Sequence, residues 1–298
     1  MSRMLAVFFV GGMLAFGADS LLAESRRSAF CPCREPVPYK LGIAGYTFCE
    51  VTLDKALETM RAIDCHYLAH KDFFLPYDAD DAAIAAYKAK LAAFGVETLT
   101  SGPYYATTED ELRAQFEFAR RFGLKTVVGV PFDFNPKGRD VPARELRLES
   151  DRALDIVDRL VGEYDVRYAV HNHGPDNACL YPTAEAALKR IGNRDKRIGV
   201  CLDVGHEMRA GLDPVAFIRA HGDRIYDVHI KNIMIDPAEN IAMEGPRGEL
   251  DIPAIMRALK DVGYTGGCHV EYEKDFKDNG MGLAESVGFY RGCMRSCK

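Results

Sequence analysis

From Lys40 onward, short apolar runs alternate with longer stretches whose apolar residues recur every three or four positions. Residues 41–46 form the first run. Over 53–63, Leu53, Ala56, Leu57, Met60 and Ile63 fall on one helical face. A second run at 67–69 precedes a helix over 80–94, which Asp80 and Asp81 open favourably at the positive end of its dipole. Residues 96–99 read as a third strand. Thr108 with Glu111 three positions on predicts a capping box, and that helix runs to Phe122, where Gly123 suits its stop. Residues 126–130 form a fourth strand ended by Pro131, followed by a loop through Pro136 and Gly138 and a long amphipathic helix over 143–163. Four further runs begin at Arg167, Ile198, Ile225 and Cys268. Helices near 183–191, 213–220 and 252–262 separate them, and a last helix covers 283–292.

Strands alternating with helices imply a parallel sheet. Eight such pairs in about 260 residues predict an α/β fold, a single (β/α)8 TIM barrel. No glycine-rich dinucleotide or phosphate loop follows the first strand, which argues against an open Rossmann sheet.

The last four runs each finish on a potential metal ligand: His171, Asp203, His229 and Glu271. A barrel presents its chemistry at the C-terminal ends of its strands, where these four fall. Two imidazoles and two carboxylates suit a divalent transition ion, Mn2+, Zn2+, Co2+ or Fe2+, better than Mg2+ or Ca2+. Such an ion polarises a carbonyl and stabilises an enediolate. His173 shares a strand face with His171, so spacing alone leaves either as the fifth-strand ligand. His206, one turn past Asp203, is a candidate acid, base or substrate contact. Lys231 shares a face with His229 and is placed to meet substrate or Asp227. His269, His66 and His221 read as structural, and Glu273 as lying beyond the barrel mouth. Arg247, in the glycine-bearing stretch 245–251, has the fork to clamp a substrate oxygen. Lys71 and Asp72 end the second strand and point to the mouth. Tyr104, Phe132 and Phe134 offer an aromatic wall for a sugar or simple core packing.

The chain has 298 residues, 48% hydrophobic and 28% charged, with a net charge of -6. No basic run marks a nucleic-acid footprint, so no nucleic-acid partner is expected. Arg3, the apolar stretch 4–16 and the small residues up to Ala23 read as a cleavable secretory signal, too short to span a bilayer. The expected organisation is a signal peptide over 1–23, an extension over 24–39 and the barrel over 40–298. This predicts a periplasmic or secreted protein with no stable membrane association after cleavage. Export also changes the reading of the nine cysteines. Cys49, Cys65, Cys179, Cys201 and Cys268 read as buried thiols. Cys31 and Cys33, near one end of a closing barrel, are expected to pair with Cys293 and Cys297 near the other.

The segments Val170-His-Asn-His-Gly174, Cys201-Leu-Asp-Val-Gly-His206, Asp227-Val-His-Ile-Lys231, Arg247-Gly248 with Leu250-Asp251, and Val270-Glu-Tyr-Glu273 together resemble the xylose-isomerase-like TIM-barrel superfamily, in its sugar phosphate isomerase/epimerase group. The resemblance covers about 40–292. The superfamily includes ketose 3-epimerases, hydroxypyruvate isomerases, inosose dehydratases, apurinic endonucleases and lyases of 3-keto sugars. It implies Asp203, His229 and Glu271 as metal ligands. Where the epimerases carry a fifth-strand glutamate that shares proton transfer with the eighth-strand one, this chain carries His171. The ligand is kept and one carboxylate is lost, so acid/base work falls to Glu271, His206, His173 or Lys231. The expectation is an exported, metal-dependent isomerase/epimerase-type enzyme that removes a proton beside the carbonyl of a small carbohydrate. The alternatives are a lyase or hydratase of 3-keto glycosides and a non-catalytic sugar-binding barrel.

Overall fold

The computed structural model describes residues 37–132, 142–174, 180–235 and 240–297. The predicted signal, most of the predicted extension, Cys31, Cys33, Phe134 and Cys179 lie outside those residues. Strands β1 (Lys40–Ala44), β2 (Tyr67–His70), β3 (Glu97–Tyr105), β4 (Thr126–Val130), β5 (Arg167–His171), β6 (Ile198–Asp203) and β7 (Ile225–Ile230) form the wall, and β10 (Gly267–Val270) completes it. They close in the order β1-β10-β7-β6-β5-β4-β3-β2. Every ladder in the barrel is parallel. Between β7 and β10, β8 (Ile233–Ile235) and β9 (Asn240–Ala242) make a separate antiparallel pair.

The helices are α1 (Leu53–Ala62), α2 (Asp81–Ala93), α3 (Glu109–Phe122), α4 (Ala143–Tyr164), α5 (Ala184–Ile191), α6 (Val204–Arg209), α7 (Pro214–His221), α8 (Ile252–Asp261) and α9 (Gly280–Ser296). Short polar side chains start most of them. Thr52, Asp80, Thr108, Thr183, Asp203, Asp213 and Asp251 each accept a backbone N–H that the first turn leaves without a partner. The Thr108–Glu111 capping box is present, and Gly123 ends α3 in the left-handed region, with φ 91°. Every residue of β4 and β6 is buried, as continuous apolar runs require when helices cover one face and barrel packing the other. The main core lies between barrel and helices, with Phe116, Leu154, Leu202, Ile255 and Leu283 among its buried residues. Val37 and Tyr39, just ahead of β1, join it, and the Tyr39 hydroxyl donates to Met256 O at 2.9 Å. Among the described residues, no helix is long and apolar enough to cross a membrane.

Three elements differ from the sequence pattern. The third strand, expected over 96–99, continues to Tyr105 through Gly102 and Pro103. Its register against β4 shifts between Ser101 and Tyr104, an irregularity that tolerates a proline without a ladder donor. Helix α9 spans Gly280–Ser296 despite four glycines, because Leu283, Val287, Tyr290 and Met294 bury one face. The β8–β9 pair is too short and irregular to read from apolar periodicity.

Candidate metal centre and active site

Strand alternation carries one column of side chains per strand towards the C-terminal mouth. It runs Ala169, His171 and His173 from β5, Cys201 and Asp203 from β6, Asp227, His229 and Lys231 from β7, and His269, Glu271 and Glu273 from β10. Register sets their levels. Asp203 pairs with His229, His171 with Cys201, and His229 with His269. The result brings ligand atoms of His171, Asp203, His229 and Glu271 within 4.8 Å of one another, all buried.

These side chains leave valences open. Both ring nitrogens of His171, Asp203 Oδ2 and His229 Nε2 are buried and accept or donate no hydrogen bond. Buried polar atoms are rarely left so without a cost of about 1–3 kcal/mol each. Asp203 divides its oxygens: Oδ1 accepts His206 N at 2.9 Å as the α6 cap, while Oδ2 faces His171 Nε2 at 3.6 Å. His229 Nδ1 lies 3.3 Å from Glu271 Oε2. Two imidazoles and two carboxylates, with unmet atoms on both imidazoles and on Asp203, fit a divalent ion of the borderline class.

Lys231 is the cation already in the cluster. Its ammonium, only 2% exposed, lies 3.1 Å from Glu271 Oε2, 3.1 Å from Glu273 Oε1 and 3.5 Å from Asp203 Oδ2. Burial opposes this charge, but the three carboxylates raise its pKa above the ordinary lysine value. Burial likewise opposes charge on Asp203 and Glu271, yet Lys231 and the neighbouring histidines hold both carboxyls well below the usual range. Glu273 goes the other way. Burial pushes its pKa up more than Lys231 pulls it down. Burial lowers His171 and His206 and brings His173 to about 4, so these imidazoles are neutral near pH 7. His229 is raised, because Glu271 outweighs its burial.

His206 and His173 stand beside this cluster, their ring centroids 4.2 Å apart, and His206 Nε2 is 3.4 Å from Lys231 Nζ. Glu273 corrects the sequence reading. It is not beyond the mouth but bonded to Lys231, because two residues past Glu271 the chain still keeps the strand's facing. Lys231 does not reach for Asp227 as that reading allowed. Asp227 is held lower in the barrel, accepting from Thr100 Oγ1 and facing His269 Nδ1, both at 2.9 Å.

The expected substrate contacts fare differently. Arg247 is 57% exposed and both arms of its fork engage Glu285, at 2.9 and 2.8 Å. Lys71 donates to Pro103 O at 2.6 Å and pairs with Asp72 at 3.2 Å, joining the ends of β2 and β3. Tyr104 is buried, edge-on to Tyr77 and beneath Lys71, and Phe132 is buried too. All three expected contacts thus spend their polar or aromatic groups on the scaffold. Cys293 and Cys297 are buried free thiols, and their expected partners Cys31 and Cys33 lie outside the described residues. His66 and His221 sit on the scaffold, bonded to Asp64 and Glu185.

Supporting residues were not evident in the sequence. Asn172 Oδ1 accepts Asp203 N at 2.8 Å and its Nδ2 donates to Asp203 O at 3.1 Å, clamping the backbone of that carboxylate. Glu207 accepts from Asn172 Nδ2 and from Ala184 N, tying the clamp to the start of α5. Thr47 Oγ1 donates to Val270 O and accepts from Tyr272 N, bracketing Glu271. Asn232 bonds to Gly245 O, Ile233 N and Leu250 N, holding the stretch that carries Arg247. Only Asn172, a polar residue directly after His171, was a signal that sequence could offer. A cavity of about 360 Å³ opens at the opposite end, where Lys40, Arg167, Ile225 and Gly267 begin their strands, away from this chemistry.

A family model described as xylose isomerase-like TIM barrel matches residues 44–293. The rhizopine catabolism protein MocC of Rhizobium meliloti is 29% identical over 139 residues, 42% of this chain and 42% of that protein. An inosose dehydratase of Clostridium beijerinckii is 27% identical over 203 residues, 59% of this chain and 66% of its own length. The chain thus spans less than two thirds of either relative. The solved IolI protein, which holds a zinc atom, shares the fold with a TM-score of 0.63 at 20% identity, over 87% of this chain and 97% of that one.

Proposed function

Because the chain belongs to the xylose isomerase-like TIM-barrel family, we propose that it is a metal-dependent enzyme that removes a proton beside the carbonyl of a sugar or keto-sugar. The proposed outcome is loss of a leaving group from the neighbouring carbon, the lyase or dehydratase course. The observation that carries this reading is the buried set His171, Asp203, His229 and Glu271, which converges beside Lys231 and Glu273 with donor atoms of the first three unmet. Similarity to an inosose dehydratase and to a zinc-holding neighbour supports it. We further propose that the protein is exported, on the signal-like pattern of residues 1–23.

His171, Asp203, His229 and Glu271 would hold the ion, which when bound supplies Lewis-acid polarisation of substrate oxygens. The rest of the chemistry falls to the chain. Glu273 is the base. Its raised pKa gives it more affinity for a proton than Asp203 or Glu271, and it is partly open to the mouth. Lys231, fully charged, donates hydrogen bonds to the developing oxyanion from within reach of that base. Neutral His206 and His173 line the adjoining side and orient the departing oxygen, which leaves as water or an alcohol with the proton that Glu273 has taken up. Asn172 and Thr47 keep Asp203 and Glu271 from shifting as charge moves.

Epimerisation is the second reading. Glu273 supplies a carboxylate in place of the one lost at His171, and a second carboxylate is what two-sided proton transfer needs. The test is metal analysis of the purified protein followed by incubation with a 3-keto glucoside in D2O. Cleavage to an unsaturated keto product, which has lost the hydrogen beside the carbonyl, supports elimination. Deuterated epimer without cleavage supports the second reading. A protein that holds no metal and exchanges no proton refutes both and leaves a sugar-binding barrel.

A further inference from the structure

The expected aromatic wall of Tyr104 and Phe132 is buried, but a different aromatic ring is held open at the C-terminal end of the barrel. Tyr46 lies in the 3-10 turn Gly45–Phe48 directly after β1 and is 40% exposed, although Gly45, Thr47 and Phe48 are all buried. That turn is fixed from both sides. A Cβ on Gly45 would stand 2.6 Å from Ala69 O and 2.9 Å from Lys71 Cβ, so the turn is wedged against the end of β2. Thr47 bonds the backbone on either side of Glu271, at 3.3 and 3.0 Å, and its carbonyl accepts Asn279 Nδ2 at 2.7 Å. Tyr46 is therefore an exposed ring on an immobile mount, one residue from the clamp on Glu271.

Phe276, in the loop after β10, meets Tyr46 edge-on, with centroids 5.9 Å apart and an interplanar angle of 77°. This contact sets the ring's tilt without covering both of its faces. Burial and then the charges of Cys49, Glu273 and Glu271 raise the Tyr46 hydroxyl pKa. The rim around it is polar. Glu50 and Lys277 pair at 3.9 Å, and Asp275 and Asp278 follow in the same loop as Phe276.

We propose that Tyr46, backed by Phe276, is a stacking platform for a second pyranose ring, so that the site selects a disaccharide or glycosyl-linked keto-sugar over a single sugar. This rests on the reading of the site as a sugar-processing centre. A pyranose has an apolar C–H face that lies on an aromatic ring and an edge of hydroxyls that a polar rim can bind. A flat aromatic aglycone would also stack, but has no hydroxyl edge to bind that rim.

Calorimetry on the full chain with Mn2+ tests the platform apart from the reaction. Its probes are cellobiose, methyl β-glucoside and 4-nitrophenyl β-glucoside. The expected result is a preference of roughly tenfold for cellobiose over methyl glucoside. Tyr46→Ala and Phe276→Ala should erase it, whereas Tyr46→Phe, which keeps the ring, should retain it. Equal affinities in the parent protein, no measurable binding, or a preference that survives Tyr46→Ala overturns the proposal. Tighter binding of the nitrophenyl glucoside than of cellobiose overturns it in favour of an aromatic aglycone. Deuterium exchange is measured in parallel. Tyr46-dependent cellobiose binding with no exchange on 3-keto cellobiose upholds the platform and defeats the reaction reading instead.

Discussion

Replacing Lys231 with methionine keeps most of its volume and removes the one ammonium that pairs with Asp203, Glu271 and Glu273 among the described residues. At 3.1 to 3.5 Å, and with an effective dielectric of about 20, each contact is worth ~5 kcal/mol before desolvation is counted. Burying the ammonium cancels most of that sum. What remains visible is the effect of leaving buried carboxylates without their partner, about 3–5 kcal/mol. In a chain of this size each kcal/mol moves the melting temperature by about 2 °C, so Lys231→Met should melt roughly 6–10 °C lower in chelator. A divalent ion reverses the deficit, because it brings back positive charge to the same oxygens. Saturation at 1,000 times the dissociation constant restores ~4 kcal/mol. Scanning fluorimetry with EDTA and with a titration of Mn2+ or Zn2+ reads both effects. The variant should gain more from metal than the parent, which already holds a cation there. A variant that melts within about 1 °C of the parent in EDTA and gains no more from metal would refute the counterion argument.

Asp203→Ala should lose stoichiometric metal in elemental analysis and with it all proton exchange, and retained activity would contradict the metal reading. Asn172→Ala, which touches no substrate, should weaken metal affinity by roughly 10–100-fold through loss of the Asp203 clamp, measured by competition with a chromogenic chelator. Burial raises Glu207 to about 7 from an ordinary value of 4.5, so the native state binds this proton more tightly than the unfolded chain. Its contribution to stability is therefore greatest below pH 4.5 and is lost as pH rises to 7, on the order of 3 kcal/mol. Glu207→Gln should flatten that part of the melting-temperature profile, and an unaltered profile would show that another group carries it. Thr108→Ala removes the α3 cap and should cost about 1 kcal/mol in urea unfolding with no change in metal content.

The barrel was legible because its signals are local. Apolar runs such as 126–130 and 198–203 state that both faces of a strand are covered, and Thr108, Glu111 and Gly123 mark the ends of a helix within a few residues of themselves. The strand ends His171, Asp203, His229 and Glu271 were legible for a related reason. Parallel strands in a closed barrel all deliver their C-terminal residues to one rim, so a ligand at each run's end needs only the fold to meet the others. Spacing could not say how far a column continues past its strand. On spacing Glu273 reads as beyond the mouth, whereas the chain after β10 keeps its facing and returns the carboxylate to Lys231. Nor could it say which polar groups the scaffold consumes. Arg247 has the chemistry of a clamp, yet Glu285 on α9, 38 residues away, takes both arms.

Sequence by itself therefore determined the fold and which strand ends carry polar, ligand-type side chains, because helix periodicity, caps and strand ends depend on neighbours along the chain. Tertiary structure alone decided the occupancy of each polar group and the exposure of each ring, because those depend on neighbours from other strands. It drew Lys231 among three carboxylates, buried Tyr104 against Tyr77, and left Tyr46 open on a turn that Thr47 pins to the far end of the chain.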